Sequence, residues 1–347
     1  MNTTVSIGPY TLQSKDVLPD VQVAYAAYGK LAPDGSNTIL VTHGYTSGPS
    51  MLSPGQHVAE GSWAPLMGPG RPLDTDRFFV ICPNMLGSSY GTTGPRSTNP
   101  ATGQPWGPDF PAFTVADIVG VQHRLLQQLG VTHLRAVVGA SYGGTQALQW
   151  ALDYPDMVDA IGVLMSGLKF PDGLSAESTR AKLATSPEWH GGWYYQHGGM
   201  VETLYATRLQ TLRNYGLEKL LEDNIKDPAE RQATLERTCR SWAEAFDPHS
   251  LVALAGASES FDVRGQVSSI RARMLFVIGS TDAVFPPEEE TPRLLKQAKG
   301  ETRYLVLESP YGHMASGVEW CRLEGELRWM LATAPELTTT AHATTHT

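Results

Sequence analysis

The sequence predicts an α/β fold, a mostly parallel sheet covered by helices and interrupted by an inserted helical cap. Three observations predict it. Short apolar runs ending in Gly-, Ser- or Pro-containing turns recur between residues 20 and 167; none occurs from about Leu174 to Ser260; two more follow. Near-continuous apolar character over so few residues suits strands buried on both faces, as in a parallel sheet.

In chain order the first runs are "VQVAYAAYG", "NTILVTHG", "RFFVICPN", "LRAVVGAS" and "AIGVLMSG". Between the third and fourth, "FTVADIVGVQHRLLQQLG" reads as a helix. Val115, Ile118, Val119, Leu125, Leu126 and Leu129 fall on one stripe, and Gly130 stops it. The stretch 174–260 is rich in helix formers, charge and aromatics, among them Trp189, Tyr205, Tyr215 and Trp242. A structureless loop of that length is rare, so it reads as a helical insertion. "RMLFVIGSTD" and "TRYLVLES" then resume the strand pattern, with a short helix expected from "PPE" at 286–288 and a last one over roughly 318–333. The reading therefore divides the chain into a core, 1–173 and 261–335, a helical cap (lid), 174–260, and a tail, 336–347, with too little to bury to be ordered.

Composition excludes several classes of function. The chain has 347 residues, enough for one large domain with an insertion. Its 41% hydrophobic and 18% charged content is that of a soluble globular protein. A net charge of −9 leaves no basic surface to neutralise phosphates, so no nucleic-acid partner is expected. Cys82, Cys239 and Cys321 are odd in number and widely spaced, as in a reducing compartment. The start lacks the basic and apolar regions of a secretory signal, and no apolar run reaches the roughly 18 residues of a membrane span. The expected setting is the cytoplasm, with no membrane partner, metal or cofactor.

The chemistry begins at Gly139-Ala140-Ser141-Tyr142-Gly143, a G-x-S-x-G sequence. A buried-strand run precedes it and a helical pattern follows. A sharp strand-to-helix turn needs small flanking residues and presents the serine Oγ at a helix N-terminus. A serine hydroxyl is a poor nucleophile until a base takes its proton. A serine so placed takes its acid and then its histidine from farther along the chain. Of ten histidines, His313 alone stands just past the final strand-like run and before the last helix. Asp282, at the end of "MLFVIGSTD", is the candidate acid that orients the imidazole; Asp262 is held in reserve. For the oxyanion hole the candidate donors are the backbone N–H groups of Tyr142, just after the nucleophile, and Tyr45, in "ILVTHGYTSG". His43 in that loop reads as structural.

These residues carry a resemblance. Over nearly its whole length the chain resembles the homoserine O-acetyltransferase group of the α/β-hydrolase fold. The similar segments are "GPGRPLDTDRFFVICPNMLGSSYGTTGP", "GASYGGTQALQWALDYPD", "SFD" near 260, "STDAVFPP" and "SPYGH". The first is far more specific than G-x-S-x-G. The resemblance implies an acyl-enzyme on Ser141 with Asp282 and His313 as partners, a cap over a tunnel to the serine, and a homodimer through the cap. It also implies that the residue after the catalytic histidine is an aspartate that binds the acceptor's amino group. Here that residue is Met314, and Tyr142 replaces the methionine usual after the nucleophile. A thioether cannot pair with an ammonium, and an unpaired ammonium in a buried tunnel costs several kcal/mol. Arg208 either matches a cap arginine that binds the acceptor carboxylate or is a solvated helix arginine.

The expected function is therefore a carboxylic-ester hydrolase with a small-molecule, short-acyl (acetyl-type) ester as substrate. Acetyl-CoA-dependent acyl transfer to homoserine or another acceptor is the alternative. A ligand-binding protein on an old hydrolase scaffold would not require three such groups in fold order.

Overall fold

The computed structural model describes residues 3–53 and 63–332, so the expected tail at 336–347 lies outside the described residues. The strands are β1 (Thr3–Ser6), β2 (Tyr10–Thr11), β3 (Val17–Leu18), β4 (Gln22–Tyr28), β5 (Thr38–Thr42), β6 (Phe79–Pro83), β7 (Leu134–Ala140), β8 (Ala160–Leu164), β9 (Arg273–Gly279) and β10 (Thr302–Leu307). Eight of them form one sheet in the order β1-β4-β6-β5-β7-β8-β9-β10, and β2 and β3 pair apart. From β6 to β10 every pairing is parallel.

All seven apolar runs are strands. The central ones, β5 and β8, are buried at every residue, which is why they read as unbroken apolar runs. The expectation fails at β4, which runs antiparallel to both its neighbours. There Ala27 is exposed and Tyr25 and Tyr28 are half-buried, as an antiparallel margin permits.

Side chains alternate across a strand, so consecutive residues feed opposite layers. Val137 of β7 joins one core with Ile118 and Leu125 of α1 (Val115–Gln128) and Leu148 and Trp150 of α2 (Tyr142–Asp153). Its neighbour Val138 joins a second core with Leu323, Leu327 and Met330 of a C-terminal helix. The first helix starts where a reciprocal cap satisfies free backbone N–H groups. Thr114 Oγ1 accepts from the Asp117 N–H at 3.3 Å, and Asp117 Oδ2 accepts from the Thr114 N–H at 2.9 Å.

Between residues 174 and 260 lie five α-helices, two short 3-10 turns and no strand: the α-helices are α3 (Ala176–Ala184), α4 (Val201–Asn214), α5 (Leu217–Asn224), α6 (Pro228–Ala245) and α7 (Pro248–Glu259). The last two begin alike. Asp227 and Asp247 each accept from the N–H two residues on, and Pro occupies the first helical position, where its missing N–H costs nothing. The two stems of this cap meet at an antiparallel bridge, Lys169 with Asp262. Beyond it come α8 (Glu290–Leu295), α9 (Ala315–Val318) and α10 (Trp320–Leu331). The first of these starts at Glu290, later than "PPE" suggests; Phe285 and Pro286 each precede a proline, which disfavours a helical start there.

Candidate active site

Ser141 follows β7, at the start of α2, in a conformation that L-residues rarely adopt, with φ 56° and ψ −125°. Its N–H donates to the Leu164 carbonyl at 2.9 Å, pinning it to the next strand. The flanking glycines are obligatory. A Cβ at Gly139 would fall 2.2 Å from Thr42 Oγ1, and one at Gly143 would fall 2.1 Å from the Thr42 carbonyl oxygen. A serine before a helix normally spends its hydroxyl on capping. Ser141 makes no such hydrogen bond, so its Oγ stays available. Tyr142 opens α2, so its N–H belongs to a first turn that has no helical acceptors.

The ends of β9 and β10 are tied together. The Thr281 hydroxyl donates to the Ser309 carbonyl at 2.7 Å and accepts from the Gly312 N–H at 3.1 Å. This brings Asp282 Oδ2 to 2.8 Å from His313 Nδ1. The other carboxylate oxygen accepts from the Val284 and Phe285 N–H groups at 2.8 and 3.1 Å. Asp282 is thus buried with both oxygens used. Asp262 is not an alternative: the Arg264 guanidinium grips both its oxygens and holds its carboxyl below the usual carboxylate range.

The cap packs directly on the His313 loop. The Tyr215 ring lies 4.7 Å from the imidazole. The Tyr311 hydroxyl donates to Asp223 of α5 at 2.9 Å. Here two glycines permit backbone to meet backbone. A Cβ at Gly216 (φ +91°) would lie 2.9 Å from the Tyr311 carbonyl oxygen, and one at Gly312 (φ +53°) 3.1 Å from that of Tyr215.

The loop carrying Tyr45 is fixed from below. His43 is fully buried; its Nε2 accepts from the Met85 N–H at 3.0 Å, so Nδ1 carries the proton and donates to the Gly44 carbonyl at 2.9 Å. That carbonyl belongs to the same peptide unit as the Tyr45 N–H, so holding one orients the other. Burial pushes the Tyr45 and Tyr142 phenols up, leaving both as neutral hydrogen-bond donors.

Ser141, His313, Met314, Tyr45 and Tyr215 line one cavity of about 30 Å³. A single water needs roughly 10–15 Å³ on this measure, so the space is that of a few heavy atoms. A larger cavity of about 520 Å³ lies beyond Phe285, between the cap stem and α8, and neither Ser141 nor His313 lines it. The candidate nucleophile and base and one of the two oxyanion candidates, Tyr45, border the smaller one, which makes it the candidate site. Met314 is buried there and packs with Leu212, Leu217, Leu221, Leu235 and Cys239 of the cap. Among the described residues, no carboxylate lines this cavity.

Arg208 is buried, not solvated. Its Nη1 donates to Thr46 Oγ1 at 2.9 Å, and its guanidinium lies 4.9 Å from the Trp242 ring centroid. Sequence reasoning gave Thr46 no role beyond its place in the Tyr45 loop and saw Tyr215 and Trp242 only as part of an aromatic stretch. No local signal marks Tyr215, because the same Tyr-Gly pair recurs at Tyr28, Tyr90, Tyr142 and Tyr311. Among the described residues, no cluster of His, Cys, Asp and Glu could hold a metal ion, and no helix is long and apolar enough to cross a membrane.

Comparison with known proteins follows the same lines. The family model described as alpha/beta hydrolase fold matches residues 37–319. The chain is 34% identical to the homoserine O-acetyltransferase of Carboxydothermus hydrogenoformans, over 92% of each protein. Among solved structures, esterase E22 superposes with a TM-score of 0.83 at 25% identity, covering 96% of this chain and all of that one. The homoserine O-acetyltransferase of Bacillus anthracis superposes equally well, with a TM-score of 0.83 at 24% identity, over 96% and 98% of the two chains.

Proposed function

Because the chain belongs to the alpha/beta hydrolase fold family, and within it to the homoserine O-acetyltransferase group, we propose that it transfers a short acyl group to an alcohol by way of an ester on Ser141. The observation that carries this reading is Ser141 itself. It sits on a strained turn with its hydroxyl unspent, bordering an acetyl-sized cavity beside the His313–Asp282 pair.

The Ser141 hydroxyl attacks the acyl carbonyl as its proton passes to His313 Nε2. Asp282 holds the imidazole in the tautomer that accepts there and steadies the imidazolium that forms. Negative charge developing on the carbonyl oxygen is met by the Tyr45 and Tyr142 N–H groups. Collapse of the tetrahedral intermediate expels the donor's thiolate or alkoxide, which takes the proton back from His313. An acceptor hydroxyl then repeats the sequence on the acyl-serine, with His313 again serving as base.

The relatives favour this transferase reading over the esterase expected from the sequence. Homoserine O-acetyltransferases match at 34–36% identity over about nine-tenths of the chain. Hydrolysis remains the second reading on one observation, Met314. A neutral thioether stands beside His313, and no described carboxylate lines the cavity to hold an amino-acid acceptor's ammonium. The deciding experiment follows acetyl-CoA consumption with and without homoserine and identifies the products. Acceptor-dependent O-acetylhomoserine supports transfer; acetate alone, at a rate indifferent to homoserine, replaces it with hydrolysis.

A further inference from the structure

The two candidate oxyanion residues share a feature unrelated to their backbone N–H groups. Each sends its phenol to the same cap helix. The Tyr45 hydroxyl donates to the Leu251 carbonyl, and the Tyr142 hydroxyl to the Leu254 carbonyl at 3.0 Å, both on α7. The two rings stack, with centroids 5.9 Å apart and planes 21° from parallel. A third tether lies one residue on. Thr46 accepts Arg208 Nη1 on its hydroxyl at 2.9 Å and Trp242 Nε1 on its carbonyl at 3.1 Å. Arg208 is on α4 and Trp242 on α6. Three cap helices therefore hold the Tyr45–Thr46 loop, and one of them, α7, also holds the first turn of α2.

The helix that receives the phenols is itself anchored. Asp247 caps α7 and is fully buried; it accepts from the Tyr194 hydroxyl at 2.6 Å and from Arg96 Nε at 3.2 Å. Its own N–H donates to Ser89 Oγ at 2.9 Å. Arg96 and Ser89 belong to the core loop after β6, so α7 is fixed to the core at its N-terminus.

We infer that the cap assembles the oxyanion hole, with the Tyr45 and Tyr142 hydroxyls and the Arg208–Thr46 contact acting as positioning groups for the two N–H donors. The inference rests on the acyl-serine reading above. Hydrogen bonds to a developing oxyanion act only when aimed at where the charge appears. Losing one such donor outright costs about 10² to 10³ in kcat, so misaiming one should cost about tenfold.

The test compares Tyr45→Phe, Tyr142→Phe and Thr46→Val with the parent protein on p-nitrophenyl acetate. Rates are expressed per serine labelled by a small p-nitrophenyl phosphonate. An acetyl-sized trifluoromethyl ketone, which forms a tetrahedral oxyanion on serine, supplies a second readout. We expect kcat to fall about tenfold in each tyrosine variant with KM nearly unchanged, and the ketone Ki to rise by the same factor. A role confined to stability would lower Tm yet leave kcat per labelled serine and Ki as in the parent, and that result would overturn the inference. Thr46→Val keeps both phenols and nearly the same shape, so it carries the test if a tyrosine variant does not fold. Failure of the phosphonate to label the parent protein would instead remove the acyl-serine reading.

Discussion

Asp282 and His313 stand 31 residues apart in the chain and 2.8 Å apart in space, and the carboxylate's second oxygen is occupied by two backbone N–H groups. The aspartate is therefore oriented before the histidine is considered. Asp282→Asn keeps the shape but replaces acceptor with donor on one side, so the imidazole is held in the wrong tautomer. Turnover of p-nitrophenyl acetate should fall about 10⁴-fold with little change in Tm. Near-parental activity would remove Asp282 from the mechanism.

The strain at Ser141 makes a prediction of opposite sign for stability. A non-glycine residue at φ 56° and ψ −125° costs on the order of 1–3 kcal/mol. Glycine adopts that conformation freely but loses roughly 0.5–1 kcal/mol through greater freedom in the unfolded chain. Ser141→Gly should thus be inactive yet melt higher than Ser141→Ala, which removes the hydroxyl and keeps the strain. Equal melting temperatures, read by calorimetry, would mean that the strain is no larger than glycine's entropic loss of roughly 0.5–1 kcal/mol.

Much of this was legible in the sequence, for a physical reason. Strands buried on both faces admit little but apolar residues, so β5, β7, β8 and β9 announce themselves. By contrast β1 reads "TTVS" and is mostly exposed, and nothing in its composition marks a strand. The antiparallel course of β4 was hidden because alanines and tyrosines serve a half-covered strand as well as a covered one. In the site, Ser141, Asp282 and His313 each sit at a recognisable strand end. The contacts of Thr46 with Arg208 and Trp242 join residues 162 and 196 positions apart through hydrogen bonds that no local pattern encodes.

Gly216 offers a test of how closely the cap must approach. An added Cβ would lie 2.9 Å from the Tyr311 oxygen, and φ +91° is strained for any L side chain. Gly216→Ala should push the 215–216 turn away from the His313 loop, lowering Tm and reducing kcat by about tenfold or more. Unchanged kcat per titrated serine would show that the contact of Tyr215 with His313 does not matter to catalysis.

Alkali should destabilise the protein through its buried phenols. Tyr10 is pushed up to about 12, chiefly by burial and then by Asp117. Tyr45 and Tyr142 are raised in the same direction by burial. A raised folded value means that the folded state holds protons the unfolded state has released. The stability contribution is complete below pH 10 and is lost as pH climbs from 10 through 12. Chemical denaturation between pH 8 and 12 should show ΔG flat and then falling, and Tyr10→Phe should fall less steeply. A parent curve still flat at pH 12 would contradict the assignment.

The last prediction concerns the residue beside the base. Met314 is buried among Leu212, Leu217, Leu221, Leu235 and Cys239, so the wall it forms is apolar on the cap side as well. If that wall is what denies an ammonium its partner, Met314→Asp should supply one and shift the fate of the acyl-serine. One desolvated charged partner is worth about 2–4 kcal/mol at best, and an aspartate set among leucines will not reach ideal geometry. A rise of about tenfold in the ratio of O-acetylhomoserine to acetate, at fixed acetyl-CoA and saturating homoserine, is the expected outcome. Burying a carboxylate there also costs stability, so Tm should drop. Met314→Leu controls for shape: it keeps the wall apolar and should leave the ratio unchanged. Efficient O-acetylhomoserine formation by the parent protein would show that the acceptor's ammonium is held elsewhere. In that case Met314 excludes nothing, and the transferase reading stands without the second reading beside it.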